Sequence, residues 1–169
     1  MEQDAREEPR SEPGPTRRIL ALDVGDRRIG LAISDPLGFT AQPLFTLHRT
    51  TPRADLKSIA RVLRKHAVTD VVVGLPLHAS GQMSPQAAKS QAVADGIRDQ
   101  HPTLRVHLLD ERLTTSEAHS LLNRARPAPA SKAARIERSK IIDQVAAVLL
   151  LEAFLSASSP RLLPPPPEL

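Results

Sequence analysis

Carboxylates at three places in the chain sit in surroundings that make an acid costly. Asp23 ends the apolar run ILALD and is followed by a Val-Gly-Asp turn. Asp110 and Glu111 come directly after LRVHLL, in DERLTT. Asp143 lies inside SKIIDQVAAVLLLEAF, among Ile141, Ile142, Val145 and Ala146. Each has an ordinary explanation. Asp23 suits an Asx turn. Asp110 or Glu111 could pair with Arg112 or support the N-terminus of a following helix. Asp143 could pair with Lys140 or Arg138. Yet an ionised carboxylate among apolar turns is unfavourable unless it is paired or metal-bound. A strand end, a later strand end and a helix thus offer an all-oxygen donor set in a chain with no cysteine. Such a set suits Mg²⁺ or Mn²⁺, which keep water and also bind phosphate oxygens. Two such ions would serve phosphodiester hydrolysis.

The residues around these acids fit that chemistry. Gly25, in the turn after Asp23, could allow a positive φ or a close backbone approach to a phosphate, or simply make the turn. Gly30, inside a strand, weakens pairing unless something must come close. Arg27 and Arg28 could meet phosphates, but side chains alternate along a strand, so at most one belongs to the site. Arg112 either contacts a substrate phosphate or holds Glu111. His78, in GLPLHASGQMSPQA, is a candidate proton donor beside a helix start at Ser84, whose free N–H groups could take a phosphate. Arg124, Arg126, Lys132, Arg135, Arg138 and Lys140 form a basic stretch suited to a nucleic-acid backbone.

The elements that must position these groups follow from periodicity. Arg18–Asp23 and Arg28–Ser34 read as strands joined by a tight turn. Phe39–His48 reads as a third, interrupted by Pro43. Thr51-Pro52 opens a helix in which Leu56, Ile59, Ala60 and Leu63 share one face. DVVVGL (70–75) is a strand buried on both faces. Ser84-Pro85 opens a second helix running to about Gln100, and Leu104–Leu109 is the next strand. Thr114 and Glu117 have capping-box spacing for a short helix. Residues 123–135 read as a Pro-interrupted loop, and Ile136–Leu155 as the strongest helix. The order β-β-β-α-β-α-β-α-α implies an α/β domain with an RNase-H-like mixed five-stranded sheet: three antiparallel strands, then two parallel, with helices on both faces. In the expected order 3-2-1-4-5, Glu111 follows a strand two places from that of Asp23, roughly 9–10 Å across the sheet. Asp110 is then the alternative ligand.

The 169 residues suffice for one domain. Residues 1–16 read as a disordered polar arm, 17–156 as the folded unit and 157–169 as a Pro-rich tail. Residues 2–15 hold five acids and two arginines, and Arg161 and Glu168 lie in the tail. Setting these aside from 23 bases and 19 acids leaves 20 and 13, about +7 on the folded unit. A basic unit favours a polyanionic partner. With three Phe and no Tyr or Trp, base stacking on aromatic platforms is disfavoured. No apolar run is long enough to span a membrane, and no apolar signal region opens the chain, so the expected location is the cytoplasm.

The motifs LDVGDRRIGLAISDP, VVVGLPLHASGQMSPQA, DERLTT and IDQVAAVLLLE occur in this order. Together they resemble the YqgF/RuvX group of RNase-H-like proteins, related to the RuvC Holliday-junction resolvases and described as pre-16S rRNA nucleases. The resemblance covers about residues 18–155. It implies a metal-dependent nuclease with the catalytic triad Asp23, Glu111 and Asp143, acting on the 5′ end of pre-16S rRNA in ribosome maturation. Where the family often has Asn-Met-Asp, His78-Ala79-Ser80 stand here, and the loop after Asn123 is richer in alanine and proline. Both departures fall on substrate-side loops. The nearest alternative is a Holliday-junction resolvase, which would act as a symmetric dimer; the chain is expected as a monomer or a homodimer. Further alternatives are a non-catalytic RNA- or transcription-associated module and an actin-like nucleotide binder. The last would need two such domains, more than this length holds.

Overall fold

A computed structural model describes residues 16–113 and 131–158. In chain order they form β1 (Ile19–Val24), β2 (Arg28–Ser34), β3 (Ala41–His48), α1 (Pro52–Lys65), β4 (Asp70–Leu75), α2 (Pro85–Gln100) and β5 (Arg105–Asp110). A single 3₁₀ turn (Glu111–Leu113) follows β5, and α3 spans Lys132–Ser158. The strands make one sheet in the order β3-β2-β1-β4-β5. β1–β2 and β2–β3 are antiparallel, whereas β1–β4 and β4–β5 are parallel. This is the RNase-H-like sheet expected from the element order.

Alternation along β1 sorts the core. Leu20, Leu22 and Val24 pack with Ile59 and Leu63 of α1 and Val93 and Ile97 of α2. Ile19 and Ala21 face the other way, with Ala32 and Val72, against Ala147, Leu150, Leu151 and Phe154 of α3. The small side chains on that second face let α3 lie close to the sheet.

Both early helices start as their sequences indicate. Thr51 Oγ1 accepts from the Ala54 N–H at 3.2 Å, and Ser84 Oγ accepts from the Ala87 N–H at 2.9 Å. Pro43 is tolerated because β3 is an edge strand. The β2–β3 register shifts between Leu31 and Ala32, whose partners are Phe45 and Pro43, so Leu44 is stepped over.

One boundary differs from the sequence expectation. Residues 132–135, read as loop, already belong to α3. Ser131 Oγ accepts from the Ala134 N–H at 3.1 Å. Lys-Ala-Ala-Arg after this cap is good helix sequence, and it begins beyond the last proline of the stretch. The short helix expected at Thr114–Glu117 and most of the 123–135 stretch lie outside the described residues. No helix among the described residues is long and apolar enough to cross a membrane.

Candidate active site

Register and alternation bring the acids under one helix. Ile19 and Ala21 face α3, so Asp23, two residues on, faces it too. Val72 and Leu109 also face α3, which puts Gly74 and then Glu111 on the same side. Gly30 is the cross-strand partner of Asp23. Asp143 approaches from α3 above.

Two glycines make this convergence possible. A Cβ built on Gly74 would collide with Glu111 Oε1. The carboxylate of Glu111 therefore lies across β4, over Gly74, and leans from β5 toward β1. This closes much of the two-strand separation expected from the sheet order. A Cβ built on Gly30 would collide with the backbone carbonyl of Asp143, so Gly30 sets how closely α3 can approach β2.

The electrostatics record the crowding of negative charge. Burial raises the Asp23 carboxyl to about 6, helped by the charge of Asp143. Burial likewise raises Glu111 to about 7, with further contributions from Asp23 and Asp110. Asp143 is balanced differently: Arg28 Nε donates to its Oδ2 at 2.6 Å, while the other arm of Arg28 donates to Ser139 Oγ. No three acidic or histidine side chains among the described residues are grouped closely enough to hold a metal ion as they stand.

The turn after Asp23 is braced from three sides. The Gly25 N–H donates to the Arg28 carbonyl at 2.8 Å, and Arg49 Nη1 donates to the Gly25 carbonyl at 2.8 Å. Arg49 Nε also binds the buried carboxylate of Asp55 at 3.0 Å. From α2, the Gln86 amide donates to the Val24 carbonyl, and Lys89 meets Asp26 at 2.5 Å. Gly25 does not have a positive φ; a Cβ there would stand 2.9 Å from the Arg28 carbonyl oxygen, so its missing side chain serves the turn itself. Among the described residues, the positive-φ glycines are Gly38 and Gly81.

The remaining candidates separate. Arg28 reaches into the cleft, whereas Arg27 is exposed on the turn, beside Asp26. Arg112 grips Asp110, with Nε 2.9 Å and Nη2 2.5 Å from Oδ2, and Nη1 reaches the Ala79 carbonyl at 3.2 Å. Asp110, the alternative ligand, is thus engaged with Arg112. His78 is exposed in the loop that Arg112 tethers, its N–H bonded to the Gln82 carbonyl at 2.9 Å. Sequence reasoning passed over Gly74, Arg49, Gln86 and Lys89 as parts of the site. Only Gly74 carried a signal, as a glycine inside an otherwise branched apolar strand. The other three act through fold-dependent contacts.

Known proteins share both the sequence and the fold. A family model described as "RuvX: Holliday junction resolvase" matches residues 17–157. A Clostridium botulinum (strain Hall) protein named "Putative pre-16S rRNA nuclease" is 41% identical over 142 residues, covering 84% of this chain and 98% of its own. A protein of the same name from Koribacter versatilis is 44% identical over 138 residues, covering 82% and 86%. Among solved structures, the Fowlpox virus resolvase in complex with Holliday junction DNA superimposes with a TM-score of 0.50 at 12% identity, covering 83% of this chain and 97% of its own. That likeness concerns the fold.

Proposed function

The chain belongs to the RuvX family, and we propose that it is a divalent-cation-dependent nuclease that hydrolyses phosphodiesters in structured RNA, acting in 5′-end maturation of pre-16S rRNA. The family membership carries the nuclease reading. The observation that supports the site is the placement of Glu111 over Gly74, on the face that Asp23 and Asp143 share. The substrate follows the names of the curated relatives.

The donor set suits a hard cation. It consists of carboxylates, and Asp23 and Glu111 both have raised proton affinity because burial and neighbouring negative charge disfavour their ionised forms. A divalent cation would relieve that repulsion, and Mg²⁺ or Mn²⁺ matches oxygen ligands. Asp23, Glu111 and Asp143 are the residues that would hold it. When bound, it supplies Lewis-acid polarisation of the phosphodiester and stabilises the charge that develops on cleavage. The chain's own groups do the positioning. β1 and β4 fix Asp23 and the bed on which Glu111 rests. Arg28, at the mouth, places a guanidinium where a phosphate would enter. The braced Gly25 turn keeps the strand end open to a nucleic-acid backbone. The 76–83 loop, which carries His78, borders the Glu111 side through Arg112. We assign this chemistry to the unit 17–156, working in the cytoplasm.

The test is cleavage of a pre-16S rRNA 5′-leader model and a four-way DNA junction side by side, in Mg²⁺ or Mn²⁺, with wild type and Asp23→Asn. RNA cleavage that is abolished in the variant supports the proposal. Cleavage of the junction alone would replace it with the resolvase reading, which the family model's description favours. Binding of RNA without cleavage of either substrate would leave a binding module.

A further inference from the structure

α1 carries more positive charge than its packing uses. Arg53, Lys57, Ala60 and Arg64 fall at i, i+4, i+7 and i+11, which is one face of a helix. Together with Gln100 and His101 at the end of α2, they line a groove of about 460 Å³. The side chains of Arg53, Lys57 and Arg64 are exposed and make no hydrogen bond or ion pair with any described residue. No acid among the described residues lines the groove. The nearby acids are placed elsewhere: Asp55 is buried against Arg49, Asp95 pairs with Arg98, and Asp99 precedes Gln100 on α2 without lining the groove.

α1 and α2 pack closely at Gly96, where a Cβ would stand 2.7 Å from Leu56 Cδ1. Its position relative to the cleft is informative. α1 begins just after Arg49, whose guanidinium holds the Gly25 carbonyl at the carboxylate edge of the sheet. From Arg53 to Arg64 the cations then run about 16 Å along the helix axis, away from that edge. The row therefore starts beside the cleft and continues over the helix layer opposite α3.

We propose that this groove is a second nucleic-acid contact, which binds the phosphodiester backbone of the substrate beyond the segment lying in the cleft. Three cations in line, with no partner and no interspersed acid among the described residues, match a polyanionic strand, and such contacts add affinity that depends on salt but not on sequence. The inference rests on the reading that the cleft acts on nucleic acid. It adds a binding requirement that the chemistry at the acids does not need.

The experiment uses the full chain with Asp23→Asn, so that binding is measured without cleavage. Fluorescence anisotropy against a long 5′-leader RNA and against a short fragment covering only the cleft is followed across salt. The neutralised variant Arg53→Gln/Lys57→Gln/Arg64→Gln is compared with the charge-keeping variant Arg53→Lys/Arg64→Lys, and thermal melts verify folding. The expected result is about tenfold weaker binding of the long RNA by the neutralised variant. Its slope of log affinity against log salt should be shallower by about 2–3, at roughly 0.7–0.9 for each phosphate no longer neutralised. The short fragment should bind equally to all variants, and the lysine variant should retain long-RNA affinity. A four-way DNA junction in a parallel arm identifies which backbone is held. Unchanged long-RNA affinity and salt slope in the neutralised variant would overturn the inference. The weakened binding without any cleavage by the parent enzyme would keep the groove and remove the nuclease reading; cleavage with unchanged binding would do the reverse.

Discussion

Arg28 Nε lies 2.6 Å from Asp143 Oδ2, which ties the first residue of β2 to the middle of α3. In the proposed site, Arg28 thereby occupies the acid that a cation would share with Asp23 and Glu111. Arg28→Gln removes both the competitor and its charge. Mn²⁺ binding, measured by calorimetry, should tighten severalfold, while KM for RNA rises because the guanidinium no longer meets a phosphate. Both side chains are partly solvated, at 26% and 23% exposure, so the stability loss should be only about 1 kcal/mol. Unchanged Mn²⁺ affinity would mean that the pair is purely structural.

Gly30 and Gly74 should respond differently to the same added methyl group. At Gly74 the methyl meets the end of the Glu111 side chain, which can swing away. Gly74→Ala should keep the melting temperature within a few degrees of wild type but cut kcat at least tenfold. At Gly30 the methyl meets the Asp143 backbone, which cannot move without shifting α3. Gly30→Ala should destabilise by about 1–3 kcal/mol. Thermal melts and single-turnover rates on both variants separate the two effects.

The raised carboxyls give the metal-free protein a characteristic pH dependence. Asp23 sits at about 6 against an ordinary 3.8, and Glu111 at about 7 against 4.5. Between roughly pH 4 and 7 the folded state therefore binds more protons than the unfolded one, and stability falls as pH rises. In EDTA the melting temperature should drop from pH 5 to pH 8, and Asp23→Asn/Glu111→Gln should flatten that drop. Mn²⁺ at pH 8 should restore the loss in wild type by binding the folded state. A wild-type melting temperature that rises over this range would contradict the assignment.

Asp70 offers the opposite case, far from the cleft. It is fully buried at the start of β4. Arg105 holds it through two contacts of 2.8 Å, and Thr69 and His107 add bonds of 2.8 and 3.1 Å. Burial opposes its charge, but these bonds outweigh burial and keep its carboxyl well below the usual range. Its stabilising contribution is complete above the ordinary carboxylate pKa and is lost as pH falls below it. Asp70→Asn should cost about 2–4 kcal/mol while leaving turnover per folded molecule unchanged.

Much of this arrangement was legible from local chemistry. Asp23 after ILAL and the all-apolar DVVVGL strand marked which strand ends matter, and Gly30 within a strand announced the close approach of another element. What the sequence left open was set by contacts between distant positions. Glu111 reaches inward only because Gly74, 37 positions earlier, has no side chain. Arg28 chose Asp143, and Arg112 chose Asp110, among several acids at similar sequence cost. The early start of α3 was hidden by the prolines just before Ser131.

The most direct measurement is single-turnover cleavage of a 5′-leader model RNA in Mn²⁺ by wild type, Asp23→Asn, Glu111→Gln, Asp143→Asn and the triple variant. If the three carboxylates work as one site, each single change should cost on the order of 10³-fold or more, and the triple variant should be scarcely slower than the singles. A variant at any of the three positions that is folded and cuts at the wild-type rate would contradict the account.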